Sequence, residues 1–139
     1  MKPIFTIIFS LLLIISIQAQ TETYNKLLQK HVDENGNVDY KNFKSEESKL
    51  ATYISYLEKT TPTKDWSANK KKAFWINAYN AYTLKLILDN YPLKSITSIK
   101  QKGKDAWNIE FAIIGGKNYT LNTIEHEILR KDFNDPRIH

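Results

Sequence analysis

One long helical segment limits the folds open to this chain more than any other feature. Ser67 is a typical N-cap residue and Tyr91-Pro92 ends the pattern, so the sequence predicts a helix that ends at about Asn90. Its apolar residues cover more than one stripe of the surface, which is typical of a helix at the centre of a domain. Three lysines, residues 70–72, occupy the first turn, where they oppose the helix dipole without any stabilising reason in the sequence.

Two shorter helices are predicted in the N-terminal half. The first covers residues 24–32, where apolar side chains recur at helical spacing. A turn follows at Asn35-Gly36, a pair that accepts positive φ, and residues 38–40 are predicted to be extended. Ser45 is predicted to be the N-cap of the second helix, which ends before Thr60-Thr61-Pro62.

The C-terminal half contains the predicted β-structure. Residues 93–99 can form a short helix, and residues 101–105 are predicted to be a polar loop. Residues 109–114 and 117–121 flank Gly115-Gly116, a pair suited to a tight primed turn, and predict a β-hairpin. Asn122-Thr123-Ile124-Glu125 has the pattern of a capping box and predicts a last helix with Glu125 as the capping acid. The expected fold class is therefore α+β, mostly helical, with a long central helix and a β-hairpin near the C-terminus.

The N-terminus has the pattern of a secretory signal peptide. Lys2 is followed by a mostly apolar run over residues 4–17 and by Ala19, so we expect cleavage between Ala19 and Gln20. As a helix this run would measure only about 21 Å, too short for a hydrocarbon core of about 30 Å. The sequence thus predicts a single domain over residues 20–139, periplasmic or extracellular, with no transmembrane segment.

Composition excludes several kinds of site. The chain has no cysteine, so within these residues there is no disulfide, no thiol nucleophile and no cysteine-based metal site. Twenty Lys and Arg against 15 Asp and Glu give a formal charge of +5, but only two of the basic residues are arginines. This mild excess, together with the expected export, does not favour nucleic-acid binding.

Two asparagines are candidates for orienting a catalytic group or a ligand. Asn77 and Asn80 are three residues apart on one face of the long helix, among aromatic residues. Asparagine has a weak helix propensity, so the presence of two asparagines in an apolar helix indicates that they have a specific role. The alternative is structural, since each amide could satisfy nearby backbone groups.

His126 is the candidate acid–base residue, because imidazole is a common proton-transfer group. The run from His126 to Arg130 matches a zinc-protease motif except at its last position, where Arg130 replaces the second histidine, so we expect no metal and no cofactor. Arg130, Arg137 and His139 could surround an anion or orient a carboxylate. The structural alternatives are a helix-start hydrogen bond for His126 and solvent exposure for the two arginines.

Taken together, the motifs resemble the DUF547 family, whose function is unknown. The resemblance covers roughly residues 24–139, and its polar positions are Asn77, Asn80, His126, Arg130, Arg137 and His139. The motifs lie at residues 33–40, AFWINAYN at 73–80, YPLKSI at 91–96, the Trp107 loop, the Gly-Gly turn, LNTIEHEILR at 121–130 and DPRIH at 135–139. In the family DPRIH is normally followed by an apolar strand and a cysteine-containing segment, so the resemblance implies that this chain is truncated.

Two functional hypotheses follow from the resemblance. In the first, the complete domain is a thiol-dependent hydrolase or acyltransferase of Cys-His-Asn type. Its cysteine lies beyond this chain, His126 or His139 is the base, and Asn77 or Asn80 orients that base. In the second, the domain is a non-catalytic extracytoplasmic binding module.

Overall fold

The computed structural model describes residues 18–138, which form two compact units, residues 18–56 and residues 57–138. The predicted signal peptide, residues 1–19, lies almost entirely outside the described residues, as does His139. The limits of the predicted domain, residues 20–139, therefore stay a prediction. Within the described range no helix is both long enough and apolar enough to cross a bilayer.

The first unit begins with α1, whose described part is residues 18–31. The turn predicted at Asn35-Gly36 is confirmed, since Gly36 has a φ of +82°. Asp33 holds this turn, because its Oδ1 accepts hydrogen bonds from the backbone N–H groups of Asn35 at 2.9 Å and Asn37 at 2.8 Å.

The prediction for the next segment is wrong in two places. Tyr40 is not extended but begins α2, Tyr40–Lys44, which Asp39 caps by accepting a hydrogen bond from the N–H of Asn42. Ser45 is the C-cap of α2 rather than the N-cap of α3, Glu47–Glu58. The short α2 has too few residues to show an apolar period, so the sequence pattern missed it.

The core of the first unit consists of aromatic and aliphatic side chains. Tyr24 in α1 and Tyr53 in α3 stack with ring centroids 4.1 Å apart and planes 2° apart. This stack ties the first helix to the third. The fully or almost fully buried residues are Tyr24, Leu27, Phe43, Leu50, Tyr53 and Ile54.

The second unit is organised around α4, Ala68–Asp89. Both predicted ends are confirmed, with Ser67 accepting a hydrogen bond from the N–H of Lys70 and Asn90 as the C-cap. Buried side chains occur on more than one stripe of α4, as the sequence predicted, and they are Phe74, Ala78, Ala81, Tyr82, Leu84, Leu86 and Leu88. Beyond α4, the Tyr91-Pro92 peptide bond is cis. Of residues 93–99, which were predicted to form a short helix, Ile96–Ser98 form a 3-10 turn.

Two short antiparallel hairpins follow. The first joins β1, Lys100–Gln101, to β2, Lys104–Asp105, where a loop was predicted. The second, which was predicted, joins β3, Ala112–Ile114, to β4, Lys117–Tyr119. Its turn residues have φ values of +55° at Gly115 and +76° at Gly116, so both need the conformational freedom of glycine.

The last helix differs from the predicted capping box. Asn122 is already helical and its side chain makes no capping hydrogen bond. Thr120 caps instead, because its Oγ1 accepts a hydrogen bond from the N–H of Thr123 at 2.9 Å. Thr123–Leu129 form a π-helix, followed by α5, Arg130–Asp132, and a 3-10 turn, Pro136–Ile138.

Candidate functional site

A polar network joins α4 to the π-helix, which packs against it. The hydroxyl of Tyr79 donates to Oε2 of Glu125 at 3.2 Å, and Nη2 of Arg130 donates to Oε1 of the same carboxylate at 2.6 Å. Trp107 is a further side-chain hydrogen-bond partner of Tyr79. We call these four residues the Glu125 network.

The Glu125 network fixes the charge state of its tyrosine. Burial, and then the negative charge of Glu125, raise the pKa of Tyr79 above its ordinary value of 10.0. Tyr79 therefore remains a neutral donor at physiological pH. Its role is to hold the Glu125 carboxylate in place.

The predicted site residues of the two helices differ in exposure. His126 and Asn80 are exposed, and Asn77 is half-buried. Among the described residues, none of these three side chains is hydrogen-bonded to another of them. At about 100° per residue, Asn80 lies about 100° from Tyr79 around α4, whereas Asn77 lies about 160° from it. Asn80 is thus the closer of the two to the side of α4 that faces Glu125.

The two predicted anion-binding arginines are each paired with a carboxylate. Arg130 binds Glu125, and Arg137 binds Asp135 through Nε at 2.9 Å and Nη2 at 2.6 Å. Arg137 and Lys72 hold the pKa of the Asp135 carboxyl well below its usual range. His139 lies outside the described residues, so its predicted place beside the arginines stays a prediction.

The first unit contains a second polar cluster, around His31, that sequence reasoning missed. His31 is only 5% exposed, its ring packs on Phe43, and its Nε2 lies 3.0 Å from Oε1 of Glu46. Lys30 and Lys49 also bind the Glu46 carboxylate. A recess of about 290 Å³ beside this cluster is lined by Lys30, His31, Asp39, Asn42, Ser45 and Glu46.

We expect Glu46 to make folding sensitive to acid. Hydrogen bonds from Lys30, Lys49 and His31 lower its pKa from 4.5 to about 2. A carboxyl whose pKa is lower in the folded than in the unfolded chain stabilises the fold above pH 4.5 and loses that contribution as the pH falls towards 2. The free energy of unfolding, measured in urea at a series of pH values, should fall less steeply across this window in Glu46→Gln than in the wild type.

The matched control for this experiment is Glu34→Gln, which changes an exposed glutamate in the turn after α1. It should reproduce the wild-type pH profile. Equal slopes for Glu46→Gln and the wild type would contradict the role assigned to the Glu46 carboxylate.

The sequence misassigned the central residue of the candidate site. Glu125 was predicted to be a capping-box acid, but its carboxylate binds Tyr79 and Arg130 instead. Tyr79 was not among the predicted site residues. Residues five apart are neighbours along a π-helix, and this geometry places Arg130 beside Glu125.

No cluster of three or more His, Asp or Glu side chains that could hold a metal ion occurs within residues 18–138. The second unit is an α+β domain of helices and short hairpins. It carries a hydrogen-bonded Tyr-Glu-Arg network at its surface.

A protein-family model described as "Protein of unknown function, DUF547" matches residues 63–139, more than half of the sequence. The chain therefore belongs to the DUF547 family, as its motifs predicted. The match includes the whole Glu125 network and begins after the motif at residues 33–40. No curated protein and no solved structure gives a significant match.

Proposed function

We propose that this protein is an exported DUF547 protein whose domain carries an acid–base site centred on His126. The reaction class that this site suits is thiol-dependent acyl transfer, by a hydrolase or acyltransferase of Cys-His-Asn type, with the cysteine supplied from outside these 139 residues. Export is supported by the apolar run at residues 4–17 and by Ala19, which together imply a mature N-terminus at Gln20.

The placement of His126 is the observation that carries this proposal. His126 is exposed and directly follows Glu125, whose side chain is held from two sides by Tyr79 and Arg130. Both residues lie in a π-helix, a rare conformation that is frequent at functional sites. Holding residue 125 limits the movement of the backbone that carries the imidazole, as a proton-transfer group requires.

In this proposal each group has a defined role. The thiolate attacks the acyl carbonyl, while His126 accepts the thiol proton and returns it to the leaving group. Asn80 is the better candidate for orienting the imidazole, because it lies nearer than Asn77 to the face of α4 that meets Glu125. His139 remains the alternative base.

The test uses a longer family member that has the equivalent of His126 and a downstream cysteine. His→Gln at that position should slow alkylation of the cysteine by iodoacetamide at neutral pH and lower thioester hydrolysis by about 100-fold or more. The matched control is Gln at the position equivalent to Glu127, an exposed neighbour in the same π-helix. For the present chain, the mass of the protein recovered after export should correspond to a start at Gln20.

A non-catalytic extracytoplasmic binding module is the second candidate. It is favoured by the ion pairs of Arg130 with Glu125 and of Arg137 with Asp135, because these carboxylates occupy the two groups that were predicted to bind an anion. A downstream cysteine that reacts no faster than a free thiol, with or without the histidine, would support this module and reject the thiol-dependent enzyme.

A further inference from the structure

Three lysines lie close to Trp66 in the sequence, around the start of α4. Nζ of Lys70 lies 4.1 Å from the ring centroid of Trp66, and Nζ of Lys71 donates to the backbone carbonyl of Lys64 at 3.5 Å. Lys64 and Lys70 are exposed, while Lys71 and Trp66 are half-buried. We call Lys64, Trp66, Lys70 and Lys71 the Trp66 patch.

The Trp66 patch has an excess of positive charge. Asp65 lies beside Lys70 and Lys71 and offsets one of its three cations. Its neighbour Lys72 is neutralised by Asp135 at 2.8 Å. The excess of positive charge extends over the C-terminal part of the sequence, because residues 57–139 contain 14 Lys and Arg against 9 Asp and Glu. Residues 20–56 contain 5 Lys and Arg against 6 Asp and Glu and show no such excess.

Two of the lysines of the patch lie where their charge destabilises the fold. Lys70 and Lys71 lie in the first turn of α4, so the positive end of the helix dipole repels them. The cation–π contact with Trp66 compensates for the unfavourable position of Lys70, and the ion pair with Asp135 compensates for that of Lys72. Lys71 shares the charge of Asp65 with Lys70, and within residues 18–138 Lys64 forms no ion pair with a carboxylate. The patch therefore keeps a net positive charge, which favours a partner of opposite charge.

We infer that the Trp66 patch docks on a membrane surface that carries anionic phosphate headgroups. Tryptophan favours the membrane–water interface, and lysines beside it can reach the phosphates while their stems stay against the apolar boundary. Stacking of a sugar or a base on Trp66 is less favoured, because Lys70 covers one face of the indole and Phe74 packs against the ring at a centroid distance of 5.6 Å.

The test is co-sedimentation of the full chain with vesicles of phosphatidylcholine alone or mixed with phosphatidylglycerol. Affinity for the mixed vesicles should fall on the order of 100-fold in the triple variant K64Q/K70Q/K71Q. It should also fall when salt is raised from about 0.1 M to about 1 M, which shortens the Debye length from ~10 Å to ~3 Å. The wild type and all variants contain residues 1–19. Any contribution of the apolar run at residues 4–17 to vesicle binding is therefore the same in each protein.

The matched control is K94Q/K100Q/K102Q, which removes the same charge from three other exposed lysines of the second unit. It should retain affinity to within about threefold, because its lysines lie outside the patch. Equal losses in the two triple variants, or equal binding of the wild type to both kinds of vesicle, would overturn the inference. Binding to soluble polyphosphate that depends on the patch, without binding to vesicles, would also reject the membrane as the partner.

Discussion

Replacing Gly115 with alanine should destabilise the second unit by about 3 kcal/mol, since two penalties coincide there. A Cβ at this position would stand 2.0 Å from Oγ1 of Thr61 and 3.2 Å from the backbone carbonyl of Thr60. The φ of Gly115, +55°, is also unfavourable for any residue with a Cβ. Its N–H donates to the carbonyl of Leu57 at 3.0 Å, so the turn cannot move away without losing that hydrogen bond. Urea unfolding followed by circular dichroism measures the effect.

Gly116 is the matched control, because its φ of +76° is similar but a Cβ would meet nothing within 4 Å. Gly116→Ala should therefore cost only about 1 kcal/mol, from backbone strain alone. The double variant Thr61→Ala, Gly115→Ala removes the hydroxyl that makes the closest contact and should recover part of the loss. If both single glycine variants cost the same, the close approach of the turn to Thr61 would play no part in stability.

The sequence predicted those parts of the fold that depend on local chemistry. Gly115-Gly116 can adopt positive φ at both positions, as a tight primed hairpin turn requires, and both residues do so. Ser67 and Asn90 bracket a long segment with a clear apolar pattern, so the limits of α4 were also predictable. Each of these signals lies within a few residues of the structure it specifies.

The failures occur where two local signals compete. Ser45 and Asn122 both have side chains that favour N-caps, but Ser45 ends α2, which Asp39 caps, and Thr120 caps the last helix in place of Asn122. The hairpin around Lys102 was missed for a different reason. Lys102 has a φ of +48°, which is unusual for a lysine, so the sequence contains no turn signal at its position other than Gly103.

The candidate site was predicted only in part, because its central contact joins residues that are distant in sequence. His126 and Arg130 were identified from residue type. The partner of Glu125, Tyr79, comes from a helix 46 residues earlier in the chain, and nothing in the local pattern of either residue indicates the contact. A helical pattern also does not distinguish α from π geometry, so the conformation that presents His126 was not predictable.

Tyr82→Ala should have a larger effect than Gly115→Ala, about 4 kcal/mol, because Tyr82 connects α4 to the β3–β4 hairpin. Its side chain is 1% exposed and packs edge-to-face on Phe111, with centroids 5.8 Å apart. Its hydroxyl donates to the carbonyl of Ile113 in β3. The substitution therefore leaves a cavity and removes the partner of a backbone carbonyl. A loss of this size is a large part of the stability of a small domain, about 5–15 kcal/mol.

Two further variants separate the contributions of the ring and the hydroxyl. Tyr82→Phe keeps the ring and should cost only about 1–2 kcal/mol, while Ile113→Ala, which truncates a side chain that is 38% exposed, should cost less than about 1 kcal/mol. The hairpin has a second attachment, through the N–H groups of Gly115 and Gly116 to the carbonyls of Leu57 and Glu58. If Tyr82→Ala costs no more than Tyr82→Phe, this second attachment holds the hairpin without help from the aromatic ring.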